Sequence, residues 1–360
     1  MKRNKIVDYL IKISTKVFLG KGRRILSILL KRKVKKNPDA LRWGIIGLGN
    51  MAETFGRAID NSQENIIYAV ASRNLEKAQK FSALHDNCKC YGSYESMLDD
   101  ESLKLDVIYI ATPAKCHYEH IKMCLERHKN VLCEKPITTS TKDLEDLRKL
   151  AKANGCFLME GMWMKCLPTF SKADSWIKEG KIGKPELIKV DFNKREIVDT
   201  RRSIFNAAEG GGVMNDYGVY AISFMTKYLN GCPSNVSSYN RISKLNIDTD
   251  WGIVAEGNNI KAFVNISSDF GSISKAAIVG DEGSIEWESQ FNRTNTVTLY
   301  DSTGKKVDTF TASYQSQGFE YELNEVHQCI TAGKKESDIV PLQSSLDCLA
   351  AVEMIRSTHK

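Results

Sequence analysis

The apolar run Leu41-Arg42-Trp43-Gly44-Ile45-Ile46 passes without a spacer into Gly47-Leu48-Gly49-Asn50-Met51-Ala52, and a helical stretch, Glu53 to Asp60, follows at once. A strand that turns on glycines straight into a helix leaves a chain few folds to choose from. Gly47 permits the tight turn, Gly49 lets a pyrophosphate approach the backbone, and Ala52 lets helix and strand pack closely. The amides of Asn50 and Met51, at the helix N-terminus, attract phosphate oxygens. A lone G-x-G-x-x-A is weak, but its place at a strand-to-helix junction opening a βαβ repeat strengthens it.

The repeat continues. Ile66 to Ala71 is a second strand, ending at Ser72-Arg73 where an NAD-specific fold would place an acid for the ribose hydroxyls. The acid is absent, and Arg73 with the Ser72 hydroxyl suits a 2′-phosphate, which predicts NADP(H) as the preferred cofactor and NAD(H) as the second choice. A helix from Leu75 to Leu84 leads to Tyr91-Gly92-Ser93-Tyr94 and a short helix, Glu95 to Leu98. Leu105 to Ala111 is a buried-strand run that ends in Thr112-Pro113, with His117, Tyr118 and His120 after it. Val131-Leu132-Cys133 ends in Glu134-Lys135-Pro136. Such alternation predicts a parallel sheet with ligands at the carboxyl ends of its strands, where Thr112 and Lys135 lie.

At 360 residues the chain has room for two domains of ~100–200 residues each. Its net charge of +7 is misleading: residues 1–40 hold thirteen Lys/Arg against Asp8 and Asp39, so this leader carries +11 and the remainder −4. A mildly acidic body offers no field for nucleic acid. In the leader, Ile6, Tyr9, Leu10, Ile13 and Val17 recur at helical spacing among lysines and arginines, and charges interrupt every apolar run before it could span a bilayer. Three readings stand: residues 1–36 as an anchor to an anionic membrane surface, as helices or a tail on the body or a partner, or as an organellar presequence. The ten cysteines lack C-x-x-C spacing, so no metal site is expected and reduced thiols in a cytoplasmic protein, peripheral to a membrane if the leader anchors it, are the plain reading.

Beyond Pro168 a helix, Phe170 to Glu179, leads into a strand-rich stretch: Leu187 to Phe192, Asn235 to Ile242, Ile253 to Glu256, Lys261 to Ser267, Ser272 to Val279, Ser284 to Glu288 and Thr296 to Tyr300. Helices Glu320 to Ala332 and Ser344 to Ser357 close the pattern. A further glycine run, Gly210-Gly211-Gly212-Val213-Met214-Asn215-Asp216-Tyr217-Gly218-Val219-Tyr220, opens an apolar stretch to Leu229. If Asn215 to Leu229 is helical, Asp216 and Tyr220 share one face.

With Gly47 to Ala52, Ala111-Thr112-Pro113 and His117, Glu134-Lys135-Pro136 and this last run in order, the sequence over residues 41–358 resembles the Gfo/Idh/MocA oxidoreductases. Met159-Glu160-Gly161-Met162-Trp163-Met164-Lys165 and Tyr220 look most like its branch of dimeric dihydrodiol dehydrogenases and sugar ketoreductases. Other branches carry His at the position of Tyr220, and relatives often have Arg at that of Lys165.

The resemblance implies an α/β Rossmann domain (41–165) and an α+β domain (166–343) built on a large, mostly antiparallel, open-faced sheet, with a C-terminal helix (344–360). The open face commonly forms a dimer interface, so a homodimer or dimer of dimers is expected. It implies that Lys135 contacts the nicotinamide ribose and the reacting oxygen, and that Tyr220 is the acid/base. Asp216 binds a substrate hydroxyl or orients Lys135, and the Lys and Tyr roles are exchangeable. Cofactor contacts are expected from Gly47, Gly49, Asn50, Met51, Ala52, Ser72, Arg73, Thr112, Pro113, His117, Glu134, Lys135, Trp163 and Lys165. Of these, His117 reads more as packing than catalysis, Glu134 as a loop anchor, and Trp163 as cofactor-lining or core. Pro136 is placed to hold a bend through a cis bond. The implied activity is interconversion of a ketone and a secondary alcohol on a small carbohydrate: a sugar, sugar nucleotide or polyol. An NAD-dependent glycosidase and a non-catalytic NAD(P)-binding regulator are the alternatives on this fold.

Overall fold

The computed structural model describes residues 34–358, apart from 201, 270, 272, 273 and 289. The expectations for residues 1–33 of the basic leader lie outside the described residues. Its end is placed: the Lys36 ammonium donates to the carbonyls of Ile59, Asp60 and Ser62, at 2.8, 3.0 and 2.6 Å, where the first helix finishes. A cation there satisfies carbonyls that have no partner within the helix and meets the negative end of its dipole.

Strands β1 (Leu41–Ile46), β2 (Asn65–Ala71), β3 (Lys89–Tyr91), β4 (Val107–Ile110), β5 (Asn130–Glu134) and β6 (Leu158–Gly161) form one parallel sheet in the order β3-β2-β1-β4-β5-β6. Helices α1 (Asn50–Asn61), α2 (Leu75–Ser82), α3 (Tyr94–Leu98), α4 (His117–Leu125) and α5 (Thr141–Ala153) connect the strands. The strand order reverses between β1 and β4, and the glycine turn sits at that switch point, where crossovers part and leave a crevice. Gly47 adopts φ +85°, and a Cβ there would stand 2.6 Å from the backbone nitrogen of Thr112, so only glycine lets the β1 turn lie against the end of β4. α1 buries Ala52, Phe55, Ala58 and Ile59, and Phe55 stacks on Tyr109 of β4 with ring centroids 4.0 Å apart. β3 and β6 were not anticipated: the first is a three-residue edge, the second four fully buried residues with no alternation to mark them.

After α6 (Pro168–Lys178) the chain builds an eight-stranded sheet from β7 (Pro185–Asn193), β8 (Asn235–Ile242), β9 (Asp248–Gly257), β10 (Ile260–Ser267), β11 (Ser274–Gly280), β12 (Gly283–Trp287), β13 (Thr296–Asp301) and β14 (Lys306–Thr311), in the order β14-β13-β12-β11-β7-β10-β9-β8. Only the β7–β10 pair is parallel. β9 shows why the sheet has two unlike faces: Trp251, Ile253 and Ala255 are buried, while Gly252, Val254 and Glu256 between them are exposed. Helix α7 (Val219–Leu229) packs on β7 and β10. On the open side Tyr239, Val254 and Phe263 are exposed, and Val254 and Phe263 are paired across neighbouring strands. β14 went unpredicted because Lys306 to Thr311 is exposed almost throughout and carries no apolar period.

Helix α8 (Phe319–Thr331) packs on α1. Helix α9 (Leu342–Ser357) lies against α5 and β6 on one side and α7 and β8 on the other, bridging the two sheets' domains. Among the described residues no helix is long and apolar enough to cross a membrane, and all ten cysteines are free thiols.

Candidate active site

The glycine turn fits a dinucleotide pyrophosphate. No heavy atom lies within 4 Å of where a Gly49 Cβ would stand, Asn50 and Met51 are exposed, and no side chain caps the N-terminus of α1, so its amides are open. At the end of β2 the Ser72 hydroxyl accepts from the Asn74 amide at 3.2 Å, bending the chain into α2 and leaving Arg73 exposed. Thr112 Oγ1 lies 2.9 Å from His120 Nδ1, and Tyr94 meets the His120 ring edge-on at 4.9 Å. Burial and then the Arg73 charge push the His120 imidazole down.

Lys135 leaves β5 through a cis peptide bond to Pro136. Its ammonium donates to the Asp216 backbone carbonyl and to Asp216 Oδ1 at 3.0 Å, and stands 5.1 Å from the centre of the Tyr220 ring. Burial works against the lysine's charge, but Asp216, Tyr220 and Glu134 outweigh it and hold the group above the ordinary lysine range. For Asp216 burial pulls upward, and Lys135, Arg202 and Lys194 hold the carboxyl below its usual value. The Tyr220 hydroxyl accepts from Trp163 Nε1 at 2.9 Å, and burial raises its pKa despite Lys135. Trp163 in turn stacks on Phe319 at 4.5 Å, 8° from parallel.

Asp216 and Tyr220 do share a face, but not on a continuous α-helix. Met214–Gly218 is a π-turn, and α7 begins only at Val219. The cause is an anchor outside the motif: Asp248 Oδ2 accepts from the Met214 amide and from Trp251 Nε1, both at 2.8 Å, and pins the start of the turn to β9. Gly212, at φ +113°, lies where any Cβ would collide with Asp248 Oδ1. A wider turn at a functional site is a recurrent use of the π geometry.

Four further residues of these motifs are buried. His117 is buried, its ring nitrogens 2.8 Å from Pro136 O and 2.7 Å from Thr112 O, so it ties the ends of β4 and β5 together. Burial pushes its imidazole down to about 4 against the pull of those carbonyls. Glu134 points inward and accepts from the Tyr109 hydroxyl at 2.5 Å, with burial raising its carboxyl. Glu160 accepts from the Ile137 amide and from Ser345. Lys165 is buried and lines a cavity of about 220 Å³ with Lys227 and Asp347. Burial depresses its ammonium. The sequence reading missed Phe192, whose ring lies 5.0 Å from Tyr217 and 6.2 Å from Tyr220, as well as Phe319 and Asp248. No local motif marks any of the three.

Two family models cover most of the chain. Residues 41–162 match an oxidoreductase family with an NAD-binding Rossmann fold, and residues 170–286 match the GFO/IDH/MocA C-terminal domain. The trans-1,2-dihydrobenzene-1,2-diol dehydrogenase of Xenopus laevis is 30% identical over 315 residues, covering 85% of this chain and 94% of that protein. The Homo sapiens protein of that name is 26% identical over 314 residues, with 85% and 93% covered. In fold the chain is similar to KijD10, a 3-ketoreductase from Actinomadura kijaniata solved with NADP and TDP-benzene, at TM-score 0.78 and 21% identity over 89% of this chain and 98% of that one. It is also similar to the aldose-aldose oxidoreductase of Caulobacter crescentus, at TM-score 0.79 and 19% identity over 89% and 97%. With both domains matched in order, the chain belongs to the Gfo/Idh/MocA family, as an NAD(P)-binding oxidoreductase.

Proposed function

We propose that this enzyme uses NADP(H) to interconvert a ketone and a secondary alcohol on a carbohydrate, with Lys135 and Tyr220 as its acid/base pair. One observation carries the reading: a lysine ammonium held by Asp216 stands over a tyrosine whose hydroxyl already accepts from Trp163. A phenol that accepts one hydrogen bond keeps its own proton to give. Bound at the glycine turn, the nicotinamide cofactor supplies or takes the hydride. Lys135 polarises the carbonyl and offsets the alkoxide charge, Tyr220 delivers the proton, and Asp216 keeps the lysine charged and aimed. The Asp216 side chain is 41% exposed, which leaves it free to accept from a substrate hydroxyl as well.

NADP(H) preference rests on Arg73, exposed at the end of β2, and on the sequence Ser72-Arg73-Asn74 placing no acid at that strand end. A carbohydrate substrate is supported by the named activities of KijD10 and the Caulobacter enzyme. The exposed Tyr239, Val254 and Phe263 on the eight-stranded sheet support dimerisation through that face, and the basic leader supports contact with an anionic membrane surface. NADPH oxidation against keto-sugars and keto-sugar nucleotides tests the reading, with Lys135→Met expected to lose about 10²–10⁴-fold in kcat. Cofactor binding without turnover across the panel would favour a regulator. Glycoside cleavage without net NADPH change would favour the glycosidase.

A further inference from the structure

Where β7 ends, the chain leaves the sheet beside the two tyrosines of the site. The Lys194 amide and the Tyr217 hydroxyl both reach the Ser267 carbonyl, at 2.9 and 3.4 Å, and the Glu196 amide binds the Ser268 carbonyl at 2.9 Å. Glu196 then holds two cations, Lys194 Nζ on Oε1 and Arg202 Nη1 on Oε2, each at 2.5 Å.

The exposures within this trio invert the usual surface pattern. The Glu196 side chain is 7% exposed, while Lys194 and Arg202 are 60% and 42% exposed. A buried carboxylate is thus spent on aiming two outward cations, and one positive charge remains after it is neutralised. A guanidinium has five N–H donors, so Arg202 can bind Glu196 and still grip a second oxyanion. The shared Ser267 carbonyl ties the Lys194 backbone to Tyr217, the residue after Asp216, so the trio lies on the Lys135–Asp216 side of the site and not at the glycine turn or Arg73, where cofactor phosphates would sit; there Arg202 and Lys194 help hold the Asp216 carboxyl down.

We propose that Lys194 and Arg202 form an oxyanion subsite for the substrate, making it an acidic sugar that carries a carboxylate or phosphoryl group near the carbinol that reacts. This rests on the redox reading above and narrows it.

Calorimetry on the full chain with saturating NADP⁺ at fixed ionic strength tests it, using D-glucose, D-glucuronate, D-glucose 1-phosphate and UDP-glucose. At least one anionic ligand is expected to bind tenfold or more tighter than glucose. That preference should weaken with added NaCl, vanish in Lys194→Gln/Arg202→Gln, and be partly retained by Arg202→Lys, while NADP⁺ affinity and Tm hold. A carboxylate source is indicated if glucuronate leads, a phosphoryl source if the phosphates lead. Equal binding of neutral and anionic sugars, no sugar binding at all, or a preference that survives the double variant overturns the subsite. Anionic binding without hydride transfer keeps the subsite and sinks the redox reading. Turnover of neutral keto-sugars with no anionic preference does the reverse.

Discussion

Replacing Asp248 with Ala should damage the enzyme at a distance from any reacting atom. The carboxylate accepts from the buried Met214 amide and from Trp251 Nε1, both at 2.8 Å, and its removal leaves the Met214 amide without this acceptor and takes one hydrogen bond from the Trp251 ring. The buried unsatisfied amide costs about 1–3 kcal/mol and the lost Trp251 bond about 0.5–1.5, so the loss should reach about 2–5 kcal/mol. At ~2–4 °C per kcal/mol for a domain of this size, Tm should fall by roughly 5–20 °C in differential scanning calorimetry. Because Met214 begins the π-turn that carries Asp216, kcat assayed well below the new Tm should also drop by about 10–100-fold, as expected when a positioned group drifts by an ångström. The cofactor KM should stay put. Asp248→Asn, which keeps an acceptor oxygen, should lose less than half as much on both counts. A Tm for Asp248→Ala within 2 °C of the parent would refute the anchoring argument.

Trp163→Phe removes the donor to Tyr220 but keeps the stacking on Phe319, and should lower kcat about tenfold with little change in Tm. Arg73→Ala should raise the KM for NADPH at least tenfold and leave that for NADH unchanged; an equal rise for both would refute the 2′-phosphate role. The pair Lys135–Asp216 should hold across neutral pH. Asp216, held below its ordinary value, contributes above an unfolded pKa of about 3.9 and fails as pH drops through its lowered folded value. Lys135, held above its ordinary value, contributes below about 10.4 and fails as pH climbs past its raised one. Because Tyr220 is also raised, alcohol oxidation should keep accelerating into the alkaline range while ketone reduction, served by the protonated phenol, holds steady there; a bell centred near neutrality for oxidation would contradict the assignment.

The parts of this molecule that announce themselves in sequence are those whose chemistry is local. Gly47 is dictated by a turn with positive φ against Thr112, and the run from Ile66 to Ala71 by a mostly buried apolar strand, so each could be read from a few neighbours. Lys135 and Tyr220 were named from motif order, since nothing in their own surroundings links positions 85 residues apart. Partners that meet only through tertiary packing stayed hidden. Asp248 reaches Met214 from another strand, Phe319 reaches Trp163 from a late helix, and Glu196 gathers its cations in a loop of mixed charge. Lys165 is hidden in the same way: the cavity its side chain lines with Lys227 and Asp347 is assembled from distant segments.

Helix α9 has a bearing on how the protein is made. Its Leu342, Leu346 and Leu349 share one apolar cluster with Ile110, Val131 and Leu144 of the nucleotide-binding half, and its Ser345 and Glu353 serve Glu160 and Thr141. The cofactor half, although first to emerge from the ribosome, therefore waits with an uncovered apolar face until more than 300 residues have been synthesised. Expressed by itself as residues 41–165, it should be sticky and require a chaperone, while supplying α9 as a separate peptide should restore its solubility.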